Sequence, residues 1–371
     1  MRVFFVIIIA LLTSCYVGKE TKPDQQTWQY ALPSEEGLNN SALLSLDQNI
    51  QDDSYKLGTV NGLIIIRNNK LVFENYYNYN NRESLKPIGI ATFAVNTLTL
   101  SQLMSDGYIH SLDTPIYHYL PEYKEIFDAS SYKKQITINH LLNYTSGLSW
   151  NQVLYNPDEP QSAFQLMKAS EDWTKYVLSE PIDAIPGTRR VIHTGTGILL
   201  SKIFQNVLGE VNLKDYIDKN LFKPMNITTY QWETDPTGTL NGSTGLYLMP
   251  LDYVKIGYLL LLDGRWVHQE RIIDRDWVYT ITNPEGSKDQ DFNYGYGLWK
   301  INENLLTNVF SSINSLLLLP DNGGNNIYVI PDENMVVGIM AQNYNFGPVY
   351  SPSLLMLSRV TSAIQTSEAG N

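Results

Sequence analysis

The sequence predicts an α+β fold. One antiparallel β-sheet is assembled from both ends of the chain and flanked by N- and C-terminal helices, and a large, mainly helical subdomain is inserted between its strands. Two strand pairs around tight connections, one near each end, and a series of helical patterns between them carry that prediction. At 371 residues and 43% hydrophobic content the chain can bury one large core.

The first element is a targeting segment. Arg2 precedes the apolar run Val3 to Leu12, which is too short to span a bilayer and reads as the core of a signal peptide, residues 1–14. Leu12-Thr13-Ser14-Cys15 looks like a bacterial lipobox, in which Cys15 becomes the diacylated first residue of the mature protein; an ordinary secretory signal with an incidental Cys is the alternative. More than one acyl chain gives stable anchoring, at about 0.8 kcal/mol per buried CH₂. Cys15 is the only Cys, so intramolecular disulfides are excluded. Residues 15–35 then read as the lipidated Cys and a polar tether, rich in Gly, Lys, Glu, Thr, Pro, Asp and Gln at its start.

One domain is expected over residues 36–365. Its sheet subdomain spans about 36–86 and 245–365, and its helical subdomain about 87–244. Leu43, Leu44, Leu46 and Ile50 follow Asn40-Ser41 at helical spacing, with Asn or Ser as cap. Gly62 to Arg67 and Lys70 to Glu74 read as two strands, joined by Asn68-Asn69, a pair that tolerates the positive φ of a tight hairpin. An apolar helix is predicted from Ile88 to Met104, stopped by Ser105-Asp106-Gly107. A short helix over Ile136 to Leu142 closes at Tyr144-Thr-Ser-Gly147, and another from Gly197 to Leu208 stops at Gly209. Asn326 to Ile330 and Met335 to Met340 form a second hairpin with a longer loop, and a last helix runs from about Ser351 to Gln365. The net charge of −12 and pI near 4.9 argue against nucleic acid as a partner, because that binding needs a basic face.

Several segments, taken in order, resemble the serine β-lactamase superfamily of class C β-lactamases, DD-peptidases and related esterases. They are Leu63-Ile-Ile-Ile-Arg-Asn-Asn-Lys-Leu-Val-Phe-Glu74, Asp106-Gly-Tyr-Ile-His-Ser-Leu-Asp113, Tyr119-Leu-Pro-Glu122 and Ile136-Thr-Ile-Asn-His-Leu-Leu-Asn-Tyr-Thr-Ser-Gly-Leu148. Pro186-Gly-Thr188, Gly245-Leu-Tyr-Leu-Met-Pro-Leu-Asp252, Tyr294-Gly-Tyr-Gly297 and Gly323-Gly324 continue the series. The resemblance covers about residues 42–362 and implies a β-lactamase/transpeptidase-like scaffold.

The chemistry that this resemblance implies needs three short motifs in one cleft. The first is Ser-x-x-Lys at a helix start, with Ser as nucleophile and the amine as its base. Counting back from Gly107, those places are Ile90 and Phe93, and no Lys or Arg occurs from Pro87 to Tyr123. The second is Tyr-x-Asn shortly after Pro-Gly. Here the places are Ile192 and Thr194, and no Tyr lies between Pro186 and Leu200. The third, Lys/His-x-Gly on the strand before the final Gly-Gly, falls on Leu319-Pro320-Asp321. No catalytic residue is therefore assigned. Removing the nucleophile of a comparable serine enzyme costs roughly 10⁶ in rate.

Other patterns are weaker. Ser130-Ser131-Tyr132-Lys133-Lys134 contains Ser-x-x-Lys twice but reads as a solvated loop, and His193-Thr194-Gly195 mimics the third motif in the place of the second. Gly195-Thr-Gly197 lacks the third glycine of a nucleotide loop. The five His show no metal-ligand spacing, so neither a metal nor a cofactor is assigned. Trp150, Trp173, Trp232 and Tyr155 fall where the family walls its cleft, either to stack on a ligand or to pack the core.

The expectation is an apolar former cleft lined by Ile90, Phe93, Ile192, Thr194, Leu319 and Trp150, partly closed by Phe93. The protein is read as a membrane-anchored, catalytically inactive binding or accessory protein facing the periplasm or exterior, with an envelope peptide, glycan or protein as ligand. An active hydrolase with Thr92 or Ser146 as displaced nucleophile is one alternative, and a structural or assembly lipoprotein with a vestigial cleft is the other.

Overall fold

The computed structural model describes residues 28–150, 160, 162–266, 271–284, 292–310, 312–321, 323–343 and 351–365. The strands are β1 (Gln29–Tyr30), β2 (Val60–Arg67), β3 (Lys70–Tyr76), β4 (Lys86–Pro87), β5 (Tyr230–Trp232), β6 (Leu246–Leu248), β7 (Phe292–Gly295), β8 (Leu298–Ile301), β9 (Leu317–Leu319), β10 (Asn326–Ile330) and β11 (Met335–Ala341). The helices of twelve or more residues are α1 (Asn40–Gln51), α2 (Thr92–Ser105), α3 (Gly195–Leu208), α4 (Pro250–Leu261) and α5 (Ser351–Ser362).

Eight strands form the main sheet in the order β1-β3-β2-β11-β10-β9-β8-β7, and β4-β6-β5 form a small second sheet. The predicted meeting of the two chain ends is the β2–β11 pair, antiparallel from Met335 opposite Arg67 to Gly338 opposite Ile64. Both predicted hairpins are present. Asn68 and Asn69 turn the first with φ of 51° and 66°. A short 3₁₀ turn, Pro331–Glu333, and left-handed Asn334 turn the second.

β2 is apolar without alternation because both faces of the sheet are covered. Leu63 and Ile65 pack with Leu43 and Leu46 of α1 and Met356 and Val360 of α5. Ile64 and Ile66 face the opposite way, into the larger core with Val254 of α4. Gly338 and Gly257 allow α4 to approach this face: a Cβ on Gly338 would meet Val254 at 2.2 Å, and one on Gly257 would meet Ile327 at 2.4 Å. Leu317 and Leu319 of β9 belong to this same larger core, whereas Leu318 faces the other.

Two expectations shift. The cap of α1 is Asn39, whose side chain accepts from the Ala42 N–H, one residue before the predicted pair. The polar tether does not continue to residue 35. The Trp28 ring packs edge-on against Tyr258 at 4.5 Å and Trp266 at 6.1 Å, and β1 then pairs in parallel with β3. An indole gains more from burial than from a place in a solvated linker. The signal peptide, Cys15, the rest of the tether and Tyr155 lie outside the described residues. Among the described residues no helix is long and apolar enough to cross a membrane.

Candidate functional site

The start of α2 is set by the small sheet. β4 pairs with β6, and the Ile88 N–H continues that pairing to the Leu246 carbonyl at 3.0 Å. Gly89 then turns the chain with φ of 55° into a 3₁₀ turn over Gly89–Ala91, which runs on into α2. Ile90 and Phe93, the residues expected at the places of the first motif, stand at this helix start.

Asp321 meets that helix start. It lies directly after β9, is 3% exposed, and accepts the Ile90 N–H on Oδ1 at 3.0 Å. Its Oδ2 accepts the Gly323 N–H and the Asn325 amide, each at 3.0 Å. The loop is tied further: the Asp321 N–H donates to Asn326 Oδ1 at 3.0 Å, and Asn325 Oδ1 accepts from Ala341 of β11 at 3.0 Å. A carboxylate at a helix N-terminus takes up an N–H that has no intrahelical acceptor and complements the helix dipole. Here one carboxylate gathers the main chain of the helix start and of the loop after β9.

The expected apolar cleft floor is therefore incomplete as a description. Asp321, one of its degenerate positions, brings a buried carboxylate to it, with amide donors on both oxygens. Leu319 is fully buried in the larger core, on the β9 residue opposite Ile327 of β10. Ile90 is half-buried and Ile192 packs half-buried on the larger core. Thr194 is buried, and its carbonyl accepts from the Ser243 hydroxyl, which itself accepts the Gly197 N–H at 3.0 Å.

Phe93 is 1% exposed and points into packed aromatic structure. Its ring lies 5.2 Å from that of Tyr144, which stacks on Tyr294 at 5.2 Å. The Arg190 guanidinium covers Tyr294 at 5.1 Å, completing a column of four side chains. Gly297 touches the column closely: a Cβ there would lie 2.7 Å from Phe93 Cδ1. Burial raises the Tyr294 phenol well above its usual pKa, so it remains neutral. Its oxygen accepts the Gly297 N–H at 3.1 Å.

His193 is wholly buried and stacks on Trp150, with 4.0 Å between ring centroids. Neither ring nitrogen finds a hydrogen-bond partner among the described residues. Burial lowers its pKa to about 3, so the ring is neutral. Trp150, expected as pocket lining, is thus paired with a histidine of the second-motif segment. Trp173 is buried on the helix Trp173–Ser179, and Trp232 stacks on Phe222.

The candidate displaced nucleophiles are engaged elsewhere. Thr92 Oγ1 is buried and accepts the Leu246 N–H at 3.3 Å, and Ser146 Oγ is buried and accepts the Leu148 N–H at 3.3 Å. Lys133 of the Ser-x-x-Lys decoy donates to the Leu178 carbonyl at 2.6 Å, and Lys134 pairs with Asp128 at 2.7 Å. Among the described residues no three His, Cys, Asp or Glu side chains are grouped to hold a metal.

Sequence reasoning named Asp321 as a degenerate position but missed its role. It missed the Tyr144–Tyr294–Arg190 column and the burial of His193 altogether. The run Asp321-Asn-Gly-Gly-Asn-Asn326, dense in residues that bond their own backbone, was the available signal for the first.

The Beta-lactamase family model matches residues 46–350 of this chain. Three solved structures share the fold at low identity. The class C β-lactamase from Rhodobacter sphaeroides is similar at a TM-score of 0.62 and 16% identity, over 88% of this chain and 100% of that one. A penicillin-binding protein from Bacillus halodurans gives 0.61 and 18%, over 80% and 95%. EstCE1, a hydrolase with promiscuous acyltransferase activity, gives 0.69 and 14%, over 88% and 99%.

Proposed function

The chain belongs to the β-lactamase family, and on that premise we propose that it is a catalytically inactive member, a lipid-anchored binding or accessory protein of the bacterial envelope. The observation that carries this reading is the Asp321 carboxylate on the Ile90 N–H. In serine proteases of the Ser-His-Asp type, the backbone N–H of the nucleophilic residue helps to hold the oxyanion of the tetrahedral intermediate. At the corresponding residue of this chain the N–H is taken by an internal carboxylate, and the side chain is that of Ile.

Three further features support the reading. Phe93, at the place of the lysine, is buried against Tyr144 and supplies no amine. Ile192 and Leu319 replace the groups of the other two motifs. An anion fixed beside the helix start would also repel the negative charge that develops on an attacked carbonyl.

The ligand class that fits a scaffold of this family is a cell-wall peptide or glycan, or a partner protein at the envelope. The apolar segment before Cys15 supports anchoring through an N-terminal lipid, facing the periplasm or exterior.

A fluorescent penicillin and a fluorophosphonate, each followed by intact mass, test the loss of acylation. The expected result is an unchanged mass with both probes. A covalent adduct at any Ser or Thr overturns the reading, and an adduct at Thr92 or Ser146 would establish the displaced-nucleophile enzyme instead. Cosedimentation with purified cell-wall sacculi tests the binding role, and its absence would favour a vestigial cleft on a structural lipoprotein. Cys15→Ser is expected to move the protein from the membrane fraction to the soluble fraction.

A further inference from the structure

A polar hollow of about 450 Å³ opens beside the aromatic column, lined by Asn139, His140, Asn143, Thr145, Arg190 and Tyr294 among others. Most of its polar groups are already committed. The Asn143 amide donates to Asn139 Oδ1 at 2.8 Å and to the Asn139 carbonyl at 3.1 Å, and the Thr145 hydroxyl donates to the His140 carbonyl at 3.4 Å. Two donors remain.

The first is Arg190. Its neighbour Arg189 faces Asp183 at 3.6 Å, but Arg190 makes no ion pair among the described residues. Its Nη1 is buried and bonded to nothing there. Its guanidinium carbon lies over the Tyr294 ring, 5.1 Å from the centroid, a cation–π contact that holds it near the hollow. In a chain of net charge −12 a cation with no counter-ion among the described residues stands out.

The second is His140. Its Nδ1 accepts the Thr137 N–H at 3.2 Å, which leaves the proton of the neutral ring on Nε2. Burial lowers the pKa of this ring, so the neutral form prevails at pH 7. Nε2 faces Gly187, where a Cβ would lie 3.0 Å away; glycine, at φ of 89°, keeps that approach open.

We propose that this hollow is a binding site for a small organic anion, whose carboxylate or phosphate group is held by the Arg190 guanidinium and the His140 Nε2–H. The planar guanidinium can offer two parallel N–H bonds to either group. The volume suits a metabolite-sized ligand. None of the six residues expected to line the former cleft lines this hollow, and the proposal does not depend on whether that cleft is active.

Isothermal titration of the mature protein with citrate, and separately with inorganic phosphate, at low ionic strength tests the site. Saturable binding of one anion per chain is expected, with a preference between the two probes that identifies the group recognised. Arg190→Gln is expected to weaken binding by about tenfold or more, and Arg190→Lys to weaken it less. The Tm should change little in both, since Arg190 holds no ion pair among the described residues. The His140 ring ¹⁵N resonances, followed by NMR in the wild-type protein, should shift along the same isotherm. The site is refuted if neither probe saturates by about 20 mM, if Arg190→Gln binds as tightly as wild type, or if the His140 signals do not respond.

Discussion

Gly89 and Asp321 are packed so closely that a Cβ built on Gly89 would lie 1.7 Å from Asp321 Oδ1. The glycine turns the chain into α2, and the carboxylate closes over that turn onto the Ile90 N–H. Neither residue can change without disturbing the other.

Gly89→Ala is expected to destabilise the protein by about 2 kcal/mol or more, through its positive φ and the clash with the carboxylate. Asp321→Ala should cost about 3 kcal/mol, because three donors lose a buried acceptor. In the double variant the clash is gone, so the two losses should add to at least about 1 kcal/mol less than their sum. Urea unfolding of the four proteins measures this coupling; strict additivity would mean that the two residues do not depend on one another.

Restoring the first motif should not restore chemistry. Ile90→Ser with Phe93→Lys supplies the hydroxyl and amine, but the Ile90 N–H stays bonded to Asp321 and the new ammonium enters the space beside Tyr144. Burying that amine without a partner is expected to cost about 3 kcal/mol or more. Turnover of a chromogenic cephalosporin by this double variant, above the rate in buffer, would contradict the proposed function.

Phe93→Ala is expected to lower stability by about 3–5 kcal/mol, since the ring is fully buried between Tyr144 and Gly297. Phe93→Leu should lose much less, because it keeps most of the volume. Equal and small losses in both, read from denaturant midpoints, would mean that the column is loosely packed.

His193 makes stability depend on pH. Its folded pKa is depressed to about 3 by burial, while the unfolded ring takes a proton near the ordinary value of about 6.5. Between these values the unfolded state binds more protons, so stability falls as pH drops, by at most about 1.4 kcal/mol per pH unit. His193→Phe keeps a ring on Trp150 and removes the titration. The variant is expected to lose about 1 kcal/mol less than wild type between pH 7 and 5.5. Parallel profiles for the two proteins would show that His193 is protonated or partnered in the folded state.

The scaffold was legible because its signals are local. The unbroken apolar run Leu63-Ile64-Ile65-Ile66 and the Asn68-Asn69 turn specify a strand and its hairpin from within a dozen residues. The absence of Lys and Arg from Pro87 to Tyr123, and of Tyr between Pro186 and Leu200, was equally plain, since an absent side chain needs no geometry to be noticed. Trp28 was misplaced in a tether because its partners, Tyr258 and Trp266, lie more than two hundred residues away in the chain.

Asp321 shows the boundary most clearly. By itself the sequence determined which side chains are available and where the main helices and strands lie. Only the tertiary structure decided that a loop carboxylate meets a helix start 231 residues distant, and that His193 and Arg190 stand without hydrogen-bond acceptors among the described residues. Periodicity reports the face a residue presents to its own element, whereas these contacts depend on how the sheet, its loops and the helical region stack against one another.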